Sequence, residues 1–303
     1  MNYQHAFHAG SFADVHKHVV LTRILEHLRA KPAAFRVIDT HAGAGSYDLS
    51  GPEAARSGEW QDGVKRLFDA LKNGAAQLGG AKSEGAKSEG AKSEGAIALL
   101  APYLAIVAAL NPDGNLRSYP GSPVVATALM RQQDRLIACE LEPRAAASLQ
   151  ACLRGDRRAK VLAIDGWMAL SANVPPKERR GMVLLDPPYE DAADFARLPG
   201  ALADAHRKWA TGIYLLWYPI KERDAPDALV RRLRRLSVPK VLRCEITLGP
   251  PRADIGLVGS GLIIVNPPYT LEQDLRILLP ALGRLFSKSA AFRLDWLSKE
   301  EKP

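Results

Sequence analysis

A four-residue motif with a specific chemistry, Asp186-Pro187-Pro188-Tyr189, follows the apolar run Met182 to Leu185. An amino nitrogen on an aromatic ring is a poor nucleophile because its lone pair is delocalised into the ring. Acceptors around its hydrogens favour the pyramidal geometry needed to attack a methyl sulfonium, and the Asp186 carboxylate and Pro187 carbonyl can supply them. Tyr189 offers a face on which an extruded base can stack. The motif therefore predicts methylation of an adenine amino group, with Asp186, Pro187 and Tyr189 as catalytic residues.

Two questions about this motif stay open in the sequence. The first is whether Asp186 takes a proton or only accepts a hydrogen bond, since the cationic product would lose its proton readily to a carboxylate or to water. The second is which of two similar motifs is catalytic, since a near copy, Asn266-Pro267-Pro268-Tyr269, occurs later in the chain. In related amino methyltransferases Asn takes the position that Asp186 has here. The copy follows a strand that we expect to run antiparallel, so its end should face away from the edge where Asp186 lies. We therefore interpret it as structural.

Small residues follow the first predicted strand, in the segment Asp39-Thr40-His41-Ala42-Gly43-Ala44-Gly45. They let the backbone approach a ligand at the carboxyl edge of a sheet. The third glycine of a dinucleotide-binding loop is missing, and the pattern instead resembles the D-x-x-x-G-x-G loop of class I S-adenosylmethionine methyltransferases. Glu140 ends the second predicted strand, where it can accept from ribose hydroxyls, and Asp165-Gly166 ends the third, where an acid can accept from an adenine amino group. Three acidic strand ends in succession predict S-adenosylmethionine as the cofactor, although each alone is more typical of a cap or turn.

Short apolar runs separated by helical patterns must position these residues, and five of them predict buried parallel strands. Two further runs are joined by a Gly/Pro-rich loop too short for a crossover helix, which predicts a terminal antiparallel hairpin. The predicted fold class is α/β, a Rossmann-like doubly wound sheet of seven strands with a small inserted helical subdomain. The predicted strands are 36–39, 135–139, 160–164, 182–185, 212–217, 240–248 and 261–266, and the predicted helices are 14–28, 122–130, 143–153, 192–209 and 227–236.

The connection between the first two strands, residues 46–121, far exceeds a loop plus one helix, and we interpret it as the inserted helical subdomain. It separates a first part of the methyltransferase domain, residues 1–45 with the N-terminal tail, a helix and the first strand, from the remainder, residues 122–303. Inside it the pentad Ala-Lys-Ser-Glu-Gly occurs three times from Ala81 to Gly95. Because glycine weakens a helix, the repeat predicts a solvated, flexible linker.

The composition fits a globular protein that approaches a polyanion. The 303 residues carry a formal charge of +8, which is consistent with nucleic-acid binding without establishing it. Three widely spaced cysteines indicate neither a disulfide framework nor a zinc site, and we expect no metal at the histidine-rich N-terminus. The N-terminus lacks the apolar core of a secretory signal, and no apolar run reaches the roughly 20 residues of a membrane span. We therefore expect a monomeric cytoplasmic protein without membrane or metal partners.

Clusters of cations mark a candidate RNA surface. One lies within residues 221–243, and a second is Lys177 to Arg180. A solvated helix face and a phosphate-binding surface explain such runs equally well. The cations of the first cluster include Arg223, Arg231, Arg232, Arg234, Arg235 and Lys240.

Unusual motifs recur along nearly the whole chain. They include Phe7-His8-Ala9-Gly10, Lys17-His18, Asp39 to Gly45, Tyr119-Pro120-Gly121-Ser122-Pro123, Asp186 to Glu190, Leu216-Trp217-Tyr218-Pro219 and Asn266-Pro267-Pro268. With these motifs the sequence resembles the RlmJ family of 23S ribosomal RNA adenine-N6 methyltransferases. The AKSEG repeat departs from the pattern of that family.

The resemblance implies an S-adenosylmethionine-dependent enzyme that forms N6-methyladenine at adenine 2030 of 23S ribosomal RNA, acting on naked RNA or an early assembly particle. A DNA adenine-N6 methyltransferase and a non-catalytic RNA-binding protein of the same fold stay as alternatives, and the absence of a separate DNA-recognition domain favours RNA. The implied cofactor-binding residues are His18, His41, Gly43, Ser122, Glu140, Asp165, Gly166 and Asp186, and the implied substrate-side residues are Tyr3, His5 and Tyr189.

Overall fold

The computed structural model describes residues 5–72, 86–250 and 256–299, with only the backbone described for residues 86–93 and 192. It contains a large mixed sheet, with helices packed on both faces, and a separate two-stranded ribbon. The strands are β1 (Arg36–Asp39), β2 (Ser46–Asp48), β3 (Ser118–Pro120), β4 (Arg135–Cys139), β5 (Ala159–Leu162), β6 (Gly181–Leu185), β7 (Ile213–Ile220), β8 (Val241–Thr247), β9 (Gly259–Val265) and β10 (Ala291–Ser298). The helices are α1 (Phe12–Arg29), α2 (Pro52–Ser57), α3 (Arg66–Lys72), α4 (Ala86–Ala109), α5 (Ser122–Leu129), α6 (Pro143–Cys152), α7 (Gly166–Asn173), α8 (Ala192–Lys208), α9 (Asp224–Leu233) and α10 (Leu271–Phe286).

The main sheet has the strand order β10-β8-β9-β7-β6-β1-β4-β5. Strands β1, β4, β5, β6 and β7 pair in parallel, whereas β9 is antiparallel to both β7 and β8. The predicted doubly wound sheet with an antiparallel hairpin is therefore confirmed. Because β6 lies beside β1, the loops that follow these strands meet at one edge of the sheet. We call this the carboxyl edge and the opposite one the amino edge.

The strand count differs from the prediction. In the part of the chain that the structure describes, the main sheet has eight strands instead of seven, because β10 adds antiparallel to β8 at its end. The residues of β10 are exposed or half-buried and alternate between charged and apolar types, so they lack the continuous apolar run that marks a buried strand. The ribbon strands β2 and β3 have three residues each, too few for a periodic signal.

Helix α1 is buried on all sides through residues 12–22, where it packs among α4, α5, α10 and β9. Its N-cap is Ser11, whose hydroxyl accepts the Asp14 backbone N–H at 3.4 Å. Asp14 lies inside the first turn, and its carboxylate accepts the Gly10 N–H at 3.0 Å. Polar side chains of this helix must find partners within the protein, because burying them unpaired costs free energy.

The segment between β2 and β3 forms α2, a π-helical segment Gln61–Lys65, α3 and α4. Helix α4 packs against α10 and α1, and it begins at Ala86, so residues 86–95 of the repeat are helical. The predicted flexible linker is wrong for them, while residues 81–85 lie outside the described residues. Ala, Lys and Glu are strong helix formers, and a helix nucleated by packing further along propagates despite glycines. The division into parts 1–45, 46–121 and 122–303 stays a prediction.

Candidate active site

A cavity of about 740 Å³ opens at the carboxyl edge, where the loops after β1, β4, β5 and β6 meet. Its size is within the range of small-molecule and cofactor sites. His5, from the predicted substrate side, lines it. So do all the predicted cofactor-binding residues, which are His18, His41, Gly43, Ser122, Glu140, Asp165, Gly166 and Asp186.

The loop after β1 is held by Glu140 at the end of β4. The Gly43 N–H donates to Glu140 Oε2 at 2.8 Å, and the Glu142 N–H donates to Oε1 at 2.8 Å. Gly43 has φ +63°, and a Cβ there would lie 2.1 Å from the Tyr47 hydroxyl, so no larger residue fits. Each carboxylate oxygen of Glu140 can still accept a second hydrogen bond, because an ionised carboxylate has about four lone-pair sites.

A buried carboxylate, Asp39, lies at the end of β1 behind the cavity wall. The Ser122 hydroxyl donates to Asp39 Oδ2 at 2.7 Å, while Oδ1 is buried without a hydrogen-bond partner among the described residues. Burial raises the pKa of Asp39 to about 7, and the nearby Asp186 charge adds to the shift although the Ser122 bond opposes it. The cavity therefore has an acceptor behind its wall that the protein itself does not fully satisfy.

Two histidines of the cavity are neutral at pH 7. Burial lowers the pKa of His18 to about 3 and that of His41 to about 4. His18 Nδ1 lies 2.8 Å from the Tyr119 hydroxyl, and His41 Nδ1 lies 2.8 Å from Thr40 Oγ1. Each ring is thereby fixed through Nδ1, so Nε2 remains for a ligand.

Asp165 begins α7 as its N-cap, with Oδ1 accepting the Met168 N–H at 2.9 Å. The first residue of that helix is Gly166. A carboxylate at a helix N-terminus is favoured by the helix dipole and by the unpaired N–H groups there. Its second oxygen can accept from a ligand in the cavity.

Lys17, on α1, is a central side chain that the sequence reasoning did not select. Its Nζ lies 2.5 Å from Asp186 Oδ2 and 2.9 Å from Asp14 Oδ1. Burial alone would lower the pKa of Lys17, but the two carboxylates more than compensate and raise it above its usual value. The available signal in the sequence was the spacing of Lys17 three residues after Asp14 on one predicted helix.

Asp14 connects the N-terminal residues to this centre. It accepts from His5 Nε2 at 3.0 Å as well as from Lys17, and the His5 ring lies 5.1 Å from the ring of Tyr47. Burial would raise the pKa of Asp14, yet the charges of His5 and Lys17 hold it well below its usual range. The predicted substrate-side residue His5 is thus linked to Asp186 through Asp14 and Lys17.

Tyr189 and Pro187 differ from the other predicted residues, since neither lines the cavity. The Tyr189 backbone has φ +54°, and its N–H donates to Asp194 Oδ2 at 3.1 Å. Its hydroxyl donates to the Trp217 carbonyl, and its ring packs 4.6 Å from the ring of Phe195. Tyr189 is therefore held in one orientation beside Asp186. The predicted residue Tyr3 lies outside the described residues.

The sequence model of the family described as ribosomal RNA large subunit methyltransferase D, RlmJ, matches residues 32–79 and 71–298. The chain belongs to the RlmJ family. This agrees with the resemblance seen in the motifs.

Relatives of this RlmJ-family chain cover nearly its full length. A protein named ribosomal RNA large subunit methyltransferase J from Escherichia coli strain K12 is 37% identical over 284 residues, which are 93% of this chain and 92% of that protein. A protein of the same name from Haemophilus influenzae is 34% identical, covering 99% of this chain and all of that one. A crystal structure of a Legionella pneumophila protein superposes with a TM-score of 0.82 at 31% identity, over 95% of this chain and 98% of that one.

The second motif of this RlmJ-family member lies at the amino edge. Asn266 follows β9, whose end pairs with the beginning of β7, so it is at the opposite side of the sheet from Asp186. Its Nδ2 donates to the carbonyls of Ala210 and Gly212, each at 2.8 Å. Tyr269 is 88% exposed. These contacts support the structural interpretation of the copy.

The described part of this RlmJ-family chain has neither a candidate metal centre nor a candidate membrane span. No group of three or more His, Cys, Asp or Glu side chains within residues 5–72, 86–250 and 256–299 could hold a metal ion. Over the same ranges, no helix combines the length and apolar character that crossing a membrane requires.

Proposed function

We propose that this RlmJ-family protein is an S-adenosylmethionine-dependent methyltransferase that forms N6-methyladenine in 23S ribosomal RNA. The observation that carries the proposal is Asp186, fixed by Lys17 at the wall of a cavity that also contains the glycine loop after β1. The two relatives named ribosomal RNA large subunit methyltransferase J support ribosomal RNA as the substrate. The position implied by the resemblance is adenine 2030.

The residues of the cavity fit S-adenosylmethionine. Glu140 has acceptor capacity for the ribose hydroxyls, Asp165 can accept from the adenine amino group, and the Gly43 loop lines the cavity between them. The neutral imidazoles of His18 and His41 add hydrogen-bonding groups without positive charge. When bound, S-adenosylmethionine supplies a methyl group on a positively charged sulfur.

We assign to Asp186 the acceptance of a hydrogen from the target amino group. Lys17 binds its Oδ2, so Oδ1 is the oxygen we assign to the substrate. Lys17 stays protonated because of its raised pKa, and it therefore cannot act as the base. We assign proton acceptance to Asp186 and a positioning role to Lys17, which fixes the carboxylate rotamer through a charged hydrogen bond.

The rest of the motif would orient the base. The Pro187 carbonyl is the second acceptor of the amino group, and the two prolines restrict its backbone. We assign the stacking face to Tyr189, whose hydroxyl bond to the Trp217 carbonyl fixes the ring before substrate arrives. His5, tied to Asp14, would contact the same nucleotide from the N-terminal side.

Labelled S-adenosylmethionine with purified protein tests the proposal. Deproteinised large-subunit RNA, assembled subunits and duplex DNA should be offered in parallel, and any N6-methyladenine located by sequencing. We expect methylation of one adenine in deproteinised RNA, weak or no reaction with assembled subunits, and none with DNA.

The alternatives give different results. Methylation of DNA alone would identify a DNA adenine methyltransferase and contradict the proposed substrate. RNA binding without methyl transfer, under conditions where S-adenosylmethionine binds, would indicate a non-catalytic protein of this fold. Retained activity in Asp186→Ala would contradict the assignment of that residue.

A further inference from the structure

Three cations lie on the carboxyl edge beyond the cavity. Lys221 directly follows β7, Arg223 comes two residues later, and Arg293 belongs to β10. Strands β7 and β8 are both antiparallel to β9, so the end of β7, the end of β8 and the beginning of β10 share this edge with Asp186. From β6 to β7 is one strand spacing of about 4.8 Å, and from β6 to β10 is four, or roughly 19 Å. The cations thus extend outward from the catalytic motif.

A second hollow of about 260 Å³ lies between two of these cations, lined in part by Arg223, Glu245, Thr247 and Arg293. Glu245 is buried, and its oxygens accept from Arg223 Nη1 at 2.9 Å and from the Tyr218 hydroxyl at 2.8 Å. Arg293 Nη1 is 3.8 Å from Glu245, beyond hydrogen-bonding distance, and its side chain is half exposed. Its guanidinium donors can therefore bind a ligand in the hollow.

The base of the hollow is fixed by a row of residues across four strands. Tyr218, Gly261, Glu245 and Arg293 are register partners on β7, β9, β8 and β10. A Cβ at Gly261 would lie 2.1 Å from the Tyr218 ring, so glycine is what lets this ring cross β9 and reach Glu245. Glu245 lies 2.9 Å from Arg223 and 3.8 Å from both Arg243 and Arg293, so its charge offsets the repulsion among these guanidiniums. Arg223 also pairs with Asp227 at 2.6 Å, which leaves Arg293 as the guanidinium with the most unoccupied donors beside the hollow.

The other cations predicted as an RNA surface point elsewhere. Arg231, Arg232, Arg234 and Arg235 lie at or just after the end of α9, toward the amino edge, because β8 begins there. Arg234 is 3.4 Å from Asp295. The cluster at residues 177–180 precedes β6 and is also at the amino edge, where Arg180 donates to backbone carbonyls. The topology therefore divides the cations of residues 221–243 between two edges of the sheet. Of those named, Lys221 and Arg223 lie at the carboxyl edge, where the catalytic motif also lies.

We infer that Lys221, Arg223 and Arg293 bind the backbone phosphates of the unpaired RNA strand that flanks the target adenine, with the hollow as the site of one phosphate. This inference rests on the proposed function. Guanidinium groups match phosphate geometry, and cations at the same edge of the sheet as the catalytic motif would let one strand contact both. The overall charge of +8 favours the same partner.

The test compares two double variants with the same change of charge. Lys221→Ala with Arg293→Ala removes two cations of the carboxyl edge, and Arg232→Ala with Arg235→Ala removes two at the amino edge. Arg223 is left in place because it neutralises Glu245. Affinity for deproteinised 23S RNA is measured at several salt concentrations, together with kcat and KM for methylation and the affinity for S-adenosylmethionine.

For the carboxyl-edge variant we expect RNA affinity to fall about tenfold and KM to rise accordingly. The slope of log K against log salt should become shallower by about 1.4, which is about 0.7 for each lost contact with a single strand. Values of kcat and cofactor affinity should stay within twofold, and the amino-edge variant should resemble the wild type.

Other results overturn the inference. If the wild type methylates RNA and the carboxyl-edge variant binds it unchanged, or both double variants lose the same affinity, the phosphate site is not at this edge. If the wild type neither binds nor methylates RNA, the proposed function itself fails, and the two failures are thereby distinguished.

Discussion

The two Pro-Pro-Tyr motifs have nearly the same sequence and opposite surroundings. Asp186 and its neighbours follow a parallel strand, beside a cavity and a buried lysine, whereas Asn266 follows an antiparallel strand at the other edge of the sheet. Both turns contain a residue with positive φ, Tyr189 in one and Asn266 in the other. The motif thus specifies a rigid turn after a strand, and the direction of that strand decides whether the turn meets the cavity.

Hydrogen bonding separates the two motifs further. Two backbone carbonyls accept from the Asn266 amide nitrogen, so the side chain has no donor left for a substrate. At the carboxyl edge, in contrast, Asp39 has a buried oxygen without a partner, and the side-chain partner of Asp186 contacts Oδ2 alone, within the part of the chain that the structure describes. Carboxylates with unfilled acceptor capacity at one edge and an amide with both donors filled at the other are the pattern expected of a site and a structural turn.

The largest expected difference is in activity. Asp186→Ala should lower kcat by about 10³-fold, because it removes the acceptor of the amino hydrogen, while Asn266→Ala should leave kcat per folded molecule within about threefold. Single-turnover methylation of RNA by both variants measures this. Loss of activity in the Asn266 variant with survival in the Asp186 variant would reverse the assignment of the two motifs.

Removing Lys17 should destabilise the protein by about 3–5 kcal/mol, because the buried Asp14 and the partly buried Asp186 lose their shared cation. Urea unfolding of Lys17→Met gives the value. Lys17→Arg is the control, since it keeps the charge, and it should recover most of the stability but less of the activity because its planar group cannot reproduce the ammonium position. A stable and fully active Lys17→Met would contradict the positioning role.

Asp39 gives the carboxyl edge a dependence on pH. The pKa of Asp39 is raised from 3.8 to about 7 in the folded protein, so ionisation favours the unfolded chain and stability falls as pH rises from about 4 to 7. Asp39→Asn cannot ionise, and its stability relative to the wild type should therefore rise by a few kcal/mol over that interval, at about 1.4 kcal/mol per pKa unit. Chemical denaturation at pH 4.5 and 7.5 measures it. If the stability of Asp39→Asn and that of the wild type changed equally with pH, the raised pKa of Asp39 would be contradicted.

The smallest effects are expected at the amino edge. Asn266→Ala should cost about 2 kcal/mol, because two carbonyls lose their donor and alanine tolerates positive φ less well than asparagine. The exposed Tyr269 serves as a control, since Tyr269→Ala should change stability by no more than about 0.5 kcal/mol. Thermal or urea unfolding of both variants gives the comparison. A larger loss of stability in Tyr269→Ala than in Asn266→Ala would contradict the assignment of the structural contacts to Asn266.

Strand direction was accessible from the sequence, and this is why the choice between the motifs could be made there. The seven apolar runs and the short loop before β9 predict the strand directions. Those directions in turn predict that the acidic residues at the strand ends lie together at one edge of the sheet. Edge strand β10 was not accessible, because half-exposed strands are specified by pairing with a neighbour and carry little signal of their own.

Lys17 was missed for a related reason. Its importance depends on Asp186, a residue 169 positions away, and no local pattern encodes that contact. The flexible linker predicted for the repeat is wrong for residues 86–95, because the low helix propensity of glycine is outweighed by the packed helix that continues the segment. Local patterns thus predicted elements well, whereas partners across the fold required the structure.

The long-range contacts of helix α1 affect when the fold can be completed during synthesis of the chain. His16, next to Lys17, lies 2.9 Å from Ser260 on β9 across a separation of 244 residues, and β9 is inserted between two strands that precede it in the chain. A ribosome must therefore synthesise β9, and also α10, before the helix that carries Lys17 has its final neighbours. During translation the emerging chain contains the cofactor loop and the Asp186 motif long before it has a completed reaction centre, so catalytic competence is among the last properties that the nascent protein acquires.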